Sequence, residues 1–347
     1  MSVAVPRSTP HSLELLDAAQ TGDQDAFARL VESHRAELHA HCYRMLGSVH
    51  DAEDALQETL LRAWRGLRGL EGRSTLRTWL YRIATNACLD ALAKRPKRVL
   101  PIDYGPPAGP GADPGEPIAE SLWVEPYPDK QVGLAAGYAA PEARYEQREA
   151  VELAFIAALQ HLPVRQRAVL ILREVLGFSA REVAETLGTT VASVNSALQR
   201  ARQTIDERLP EQSQQATLRT LGDERVRDLV ERFIAAFESG DVAAILAALA
   251  DDATFSMPPY PGWYRGRDEL ADSWLMPGGP PPRLRAIPAR ANGQPAVGVY
   301  KLDPDGVCYV PLAIDVLTLR GERIDAVTAF CTPEVFRRFG LPDRLTD

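Results

Sequence analysis

Between Pro101 and Glu146 the chain carries nine prolines, six glycines and eight acidic residues against two basic ones, while both flanks are rich in Ala, Leu, Arg and Glu. Proline removes a backbone donor and glycine costs conformational entropy, so no packed core is expected across this stretch. The chain must therefore divide into a helical block before the break, a second helical block after it, and whatever follows. At about 150 residues per domain, 347 residues make two or three domains, in keeping with that division.

The first block reads as helical hairpins. A segment from His11 to Leu46 stops at Gly47, and Ser48 with Asp51 three residues later has the form of a capping box opening the helix AEDALQETLLRAW. Helical spacing turns Leu56, Leu60 and Trp64 inward and leaves Asp54, Gln57, Glu58 and Arg62 toward solvent. A third helix, from about Ser74 to Lys94, carries Leu76, Leu80, Ile83, Ala87 and Ala91 on one stripe. From Arg62 to Arg98 there are ten basic residues and two acidic ones, although the whole chain has a net charge of −8. Screening makes local charge decisive, so this block suits a phosphate-backbone partner despite the overall sign.

The proline-rich stretch is expected to be a linker, with SLWVEPYPD placing Trp123, Pro126 and Tyr127 as a short anchor within it. Helical pattern resumes from about Pro141 to Leu209, followed by EQSQQAT (211–217), read as a polar break. Beyond it, helices at Val226–Glu238 and Val242–Leu249 precede alternating apolar runs such as AVGVYKL, VCYVPLAIDVLTL and IDAVTAF, which predict an α+β domain with helices on a curved sheet.

The sharpest local signal is LGFSAREVAETLGTTVASVNSALQRARQTI, 176–205. One helix ends at Gly188 and a second starts after Thr189 or Thr190, with Val191, Val194, Leu198, Ala201 and Ile205 on one apolar stripe. Its outer face carries Ser193, Ser196, Gln199, Arg200 and Gln203, flanked by Arg202 and Arg208, which are the short polar and basic groups a helix-turn-helix presents to base edges and phosphates.

Two blocks together resemble a known family. DAEDALQETLLRAWRGL with TLRTWLYRIATNACLDALAKRPKR is similar to region two of the sigma-70 family of RNA polymerase sigma factors, and the segment from Arg148 through the helix-turn-helix to Ile205 is similar to region four. The short span between them is the layout of the extracytoplasmic-function (ECF) group. The sequence after Asp223, through VRDLVERFIAAFESGDVAAILAALADDATF and YRGRDEL, resembles the SnoaL-like branch of NTF2-like folds. The expected architecture is multidomain: an all-α region two at 11–100, an acidic linker at 101–140, an all-α region four at 141–210 and an α+β cone at 223–340.

The resemblance implies roles. Asp54, Gln57, Glu58 and Arg62 meet the β′ clamp helices of core polymerase, whose β flap is a further partner. Arg73, Arg77, Trp79, Tyr81, Arg82, Asn86, Lys94, Arg95, Lys97 and Arg98 open the minus-ten element of promoter DNA and hold the unpaired strand, although Trp79, flanked by Leu76, Leu80 and Ile83, reads equally as a core residue. Ser193, Asn195, Ser196, Gln199, Arg200 and Arg202 read the minus-thirty-five element. Many relatives have basic residues near Asn195 and Ala197, so the preferred promoter sequence here is expected to differ. An anti-sigma factor is a partner class known for the group. The C-terminal domain is expected to modulate sigma activity in cis, partly through the Trp-Pro linker, and Tyr260, Trp263, Tyr264, Trp274 and Asp315 outline a pocket for a small-molecule ligand.

No catalysis and no cofactor are expected. All six histidines (His11, His34, His39, His41, His50 and His161) precede the C-terminal domain, which excludes His-dependent chemistry in the cone. His34, His39, His41 and Cys42 point around one helix without a second ligand pair, so no metal site is expected. Cys42, Cys88, Cys308 and Cys331 lie too far apart for a disulfide framework. The first twenty residues lack a basic start and apolar stretch, and no run suits a bilayer, so a cytoplasmic location without membrane contact is expected. The alternative reading is a one-component helix-turn-helix regulator with a small-molecule-sensing C-terminal domain.

Overall fold

A computed structural model describes residues 10–70, 75–109, 111–132, 149–271 and 283–346. The first block is a helical bundle of α1 (Pro10–Gln20), α2 (Gln24–Leu46), α3 (Val49–Gly66) and α4 (Leu76–Leu92). The segment from His11 to Leu46 is two helices, divided where Asp23 caps α2 by accepting from Asp25 N and Ala26 N. Gly47 takes the left-handed conformation that ends α2, with φ 69°, and Ser48 caps α3 by accepting from Asp51 N. Leu38, Met45, Leu46, Leu80 and Ala84 fill the centre of the bundle.

The second helical block comprises α5 (Leu153–Gln160), α6 (Val164–Leu170), α7 (Ala180–Leu187) and α8 (Val191–Asp206), with a π turn, Ile171–Val175, following α6. Ser179 and Glu182 close a full capping box at α7, and Gly188, φ 60°, sets the sharp turn into α8. Val194, Leu198, Ala201 and Ile205 are buried. Val191 is not: it lies at the first turn and is 44% exposed, so the apolar stripe starts one turn later than its spacing predicts.

The segment EQSQQAT is a break only through Ser213, which caps the helix that follows. Residues 214–221 form α9 (Gln214–Leu221), and Gln214, Gln215 and Thr217 are buried. Its polar residues are spent on backbone rather than water: Gln214 Nε2 donates to Leu319 O at 2.9 Å, its Oε1 accepts from Leu319 N at 2.7 Å, and Gln215 Nε2 donates to Gly293 O at 2.8 Å. Glu152, just before α5, accepts from Gln214 N and Gln215 N at the start of α9.

The C-terminal domain has α10 (Asp223–Ser239) and α11 (Val242–Ala248) against six strands: β1 (Leu249–Ser256), β2 (Trp263–Arg265), β3 (Leu284–Ala291), β4 (Gln294–Leu302), β5 (Tyr309–Arg320) and β6 (Arg323–Phe330). The strand order is β2-β1-β6-β5-β4-β3, with β1 parallel to β6 and the other neighbours antiparallel. Alternation assigns the two faces. Val297, Val299, Ala313, Leu317 and Ala329 share a core with Val226, Val230 and Phe233 of α10. Ala296, Tyr300, Ile314, Val316 and Phe330 point the other way and join the core that also holds the helical bundles and Tyr127 of the linker. Both faces are covered, which is why these strands read as nearly continuous apolar runs.

Candidate nucleic-acid interface

On α8, Ser193, Asn195, Ser196, Gln199, Arg200 and Arg202 are all exposed. Thr190 caps the helix by accepting from Ser193 N at 3.1 Å, which fixes the entry to the outer face. Arg202 is tied to Glu174 at 2.6 Å, and a surface groove of about 750 Å³ runs past Asn195, Gln199 and Arg202.

The basic block of the first domain is less uniform than its sequence. Arg82, Asn86 and Lys94 are exposed. Trp79 and Tyr81 are core residues in this structure, 6% and 1% exposed, so Trp79 takes the core position that its neighbours Leu76, Leu80 and Ile83 also allowed. Tyr81 packs edge-on against His41 and Phe178, and its hydroxyl donates to Glu37 at 3.3 Å. Arg98 is also buried, with a guanidinium nitrogen 2.8 Å from Asp51 and another 3.4 Å from Glu125. Arg95 pairs with the same Asp51 carboxylate, and Lys97 donates to His161 at 2.8 Å. Asp51 is thus drawn to two arginines, and the capping box expected with Ser48 forms only by its Ser half. Arg73 lies outside the described residues.

Arg77 lies between two rings, 4.9 Å from those of Tyr81 and Phe178, and Thr78 donates to Glu182 at 3.4 Å. Phe178 and Glu182 belong to the helix-turn-helix unit. Its first helix, α7, therefore covers the start of α4.

On α3, Asp54 and Gln57 are exposed and Glu58 and Arg62 are half-buried. Arg62 bridges Glu58 at 2.6 Å and Asp90 of α4 at 2.8 Å, so Asp54, Glu58 and Arg62 form one rim of a groove between α3 and α4, while Gln57 faces a separate depression beside Arg35 and His39.

The linker is far more than a tether with a chance anchor. Trp123, Val124, Pro126 and Tyr127 are buried. Glu125 sits on the N-terminus of α3, accepting from Ser48 Oγ at 2.8 Å, Val49 N at 2.9 Å and His50 N at 3.2 Å. His39 and Tyr127 are joined by a 2.6 Å hydrogen bond, and burial pushes the His39 imidazole down to about 4. His41 is bonded to Thr85 at 3.0 Å. Among the described residues no group of three or more His, Cys, Asp or Glu could hold a metal ion.

Asn292, which sequence reasoning missed, ties these parts together. It occupies the β3–β4 turn with φ 57° and is wholly buried. Its amide nitrogen donates to Tyr43 Oη and to Val151 O, both at 2.8 Å, and its Oδ1 accepts from Tyr127 N at 2.8 Å. One side chain thus touches the first helical domain, the linker and the entry to the second helical domain. Asp129 of the linker holds the same turn by accepting from Gly293 N at 2.7 Å and Arg290 Nε at 3.0 Å. The available signal was Asn-Gly between apolar runs, a hairpin turn, but sequence gives no reason for a turn to be buried.

In the cone, Tyr260 and Asp315 line a cavity. Trp263 and Tyr264 do not: Trp263 Nε1 donates to Gly105 O and Tyr264 Oη to Ala112 O, both at 2.8 Å, so they hold the linker instead. Trp274 lies outside the described residues. Burial alone raises the Asp315 carboxyl to about 7. An unfolded Asp ionises near 3.9, so folding retains a proton that unfolding releases, and stability falls as pH rises from about 4 to about 7. Asp315→Asn is expected to flatten that slope and to gain up to about 4 kcal/mol at pH 8. Urea unfolding at pH 5 and pH 8 checks this; an unchanged slope in the variant counts against it.

These three units match known families. Residues 30–98 match the family model for sigma-70 region 2, residues 146–205 that for sigma-70 region 4, and residues 230–334 that for the SnoaL-like domain. Sigma-70 regions 2 and 4 on one chain define a promoter-specificity subunit of RNA polymerase. The chain is 44% identical over 324 residues to the ECF RNA polymerase sigma factor SigG of Mycobacterium tuberculosis, covering 92% of this chain and 85% of that protein. It is 30% identical over 189 residues to the ECF sigma factor SigW of Bacillus subtilis, covering 54% and 91% respectively. The crystal structure of the Mycobacterium tuberculosis ECF sigma factor SigJ shares the fold with a TM-score of 0.52 at 24% identity, covering 90% of this chain and 98% of that one. The chain belongs to the ECF group of RNA polymerase sigma factors, with a C-terminal SnoaL-like domain. It binds core polymerase and promoter DNA, and it is a regulator of transcription initiation. No helix among the described residues is long and apolar enough to cross a membrane.

Proposed function

We propose that this sigma factor is held in a closed arrangement by its C-terminal domain, and that promoter engagement requires the arrangement to open. The carrying observation is the contact of α7 with α4 through Phe178, Arg77 and Tyr81. The two promoter elements lie about 25 base pairs apart, about 85 Å of duplex at 3.4 Å per base pair. Two domains in direct contact cannot reach both. The 52 residues from Val99 to Ala150 could span about 170 Å if extended at about 3.3 Å each, but Glu125, Tyr127 and Asp129 pin them to the bundle and the sheet.

In the open form, Asp54, Gln57, Glu58 and Arg62 contact core polymerase. Arg82, Asn86 and Lys94 supply the exposed part of the minus-ten surface, while Ser193, Asn195, Ser196, Gln199 and Arg200 read the minus-thirty-five element. Asp54 is exposed and on the α3 rim, so Asp54→Lys is expected to weaken core association at least about tenfold while leaving unfolding unchanged; pull-down with purified core measures it. Arg200→Ala is expected to weaken promoter binding by about 1–3 kcal/mol and to lower the salt slope by about one. Footprinting with holoenzyme reads it, and unaltered upstream protection would remove Arg200 from the interface. Run-off transcription on a linear promoter tests the whole reading, including against a one-component regulator, which would not need to bind core.

A further inference from the structure

The cone holds a cavity of about 660 Å³, within the range that takes a small organic molecule. Phe237, Phe255, Val299 and Ala329 give it an apolar wall, and Tyr260 stands beside them. Asp315, on the cavity-facing side of β5, is 2% exposed, and its Oδ1 has no hydrogen-bond partner. A buried carboxyl oxygen without a donor is costly unless something else meets it. The linker completes the wall: Asp113 and Glu116 line the same cavity, and the strand of chain that bears them is fixed by Gly262 N donating to Pro114 O at 2.8 Å and Ile118 N to Pro259 O at 2.9 Å. Among the described residues three carboxylates therefore face the space, and no Lys, Arg or His lines it.

We propose that the cone cavity is a binding site for an apolar amine, its ring or hydrocarbon body against Phe237 and Phe255 and its ammonium group on Asp315. The charge of the lining selects the class. An anion would meet three carboxylates, whereas an ammonium group gives Asp315 Oδ1 its missing donor and turns an unfavourable buried carboxyl into a charge-assisted pair. A neutral ligand of the same shape gains the apolar contact without the ion pair. Asp113 and Glu116 are exposed and add a weaker, screened attraction at the rim.

Calorimetry on the full-length chain at pH 7.5 with three probes of one ring system tests this: 1-naphthylmethylamine, 1-naphthylmethanol and 1-naphthylacetate. The amine is expected to bind at least tenfold more tightly than the alcohol, and the carboxylate not measurably. Asp315→Asn is expected to bring the amine down to the alcohol's affinity while leaving the alcohol within about threefold. Should that variant not fold, the exposed double change Asp113→Asn, Glu116→Gln is expected to weaken the amine about threefold and not the alcohol. Equal affinity for amine and alcohol, preference for the carboxylate, no binding by the amine, or an amine preference that survives both variants would overturn the proposal. The measurement uses no polymerase or DNA, so its outcome is separate from that of the promoter reading.

Discussion

Replacing Asn292 by glycine is expected to open the closed arrangement and raise run-off transcription at limiting core polymerase. Glycine accepts the left-handed turn that Asn292 adopts, so the hairpin itself survives. What disappears is the amide, and with it hydrogen bonds to Tyr43 Oη, Val151 O and Tyr127 N. The Tyr43 hydroxyl still donates to Glu125 O at 2.8 Å, but Val151 O and Tyr127 N lose their partner, and buried groups left unsatisfied cost about 1–3 kcal/mol each, so closure is lowered by at least about 2 kcal/mol, roughly thirtyfold in the closed-to-open ratio. Paired fluorescent labels at Asn86 of α4 and Ser196 of α8, both exposed, read the separation of the two DNA-facing helices. A variant that keeps the wild-type distance, or that separates yet transcribes no better, would show that Asn292 does not govern access to the promoter.

The second large effect is on stability. Asp51→Ala removes the carboxylate shared by Arg95 and Arg98. Arg98 is 6% exposed and retains Glu125, at 3.4 Å, and Trp123 O, which accepts from its guanidinium. Breaking a buried pair by removing one member typically costs about 3–5 kcal/mol, because the remaining charge stays desolvated. Chemical unfolding followed by circular dichroism should show that loss. Because Glu125 also caps α3 through Val49 N and His50 N, the linker is expected to loosen in the same variant, seen as faster proteolysis between Trp123 and Tyr127. A loss below about 1 kcal/mol would place the pair among surface bridges of little consequence.

Much of the helical architecture was legible in the sequence because helix ends are local. Gly47, Ser48, Gly188 and Thr190 act within one turn of themselves, and the stripe of Val194, Leu198, Ala201 and Ile205 is a property of one helix. The polar faces of α3 and α8 follow from the same periodicity. What local pattern could not give is which polar or aromatic group meets another part of the chain. Trp79 and Tyr81 look alike whether a base or Phe178 lies opposite them, and Arg98 reads as one more phosphate contact until Asp51 is seen 47 residues away in sequence. EQSQQAT reads as a solvated break, since its glutamines satisfy backbone at Gly293 and Leu319, far along the chain. In the linker only the anchor at Trp123, Pro126 and Tyr127 was legible, because a proline-rich segment cannot form its own core but can be received into one built by others.

The hub residue also lies late in the order of synthesis. Region 4 is complete at Ile205, whereas β6, the last strand around the Asn292 turn, ends at Phe330, 125 residues later. At about 5–20 residues per second, a ribosome needs roughly 6–25 s to cover that distance. During this interval the α4–α7 contact has all its residues, whereas the Asn292 bonds to Tyr43 and Val151 are still missing. On the reading proposed here, the restraint on the two DNA-facing units is therefore completed last, by the strands around that turn.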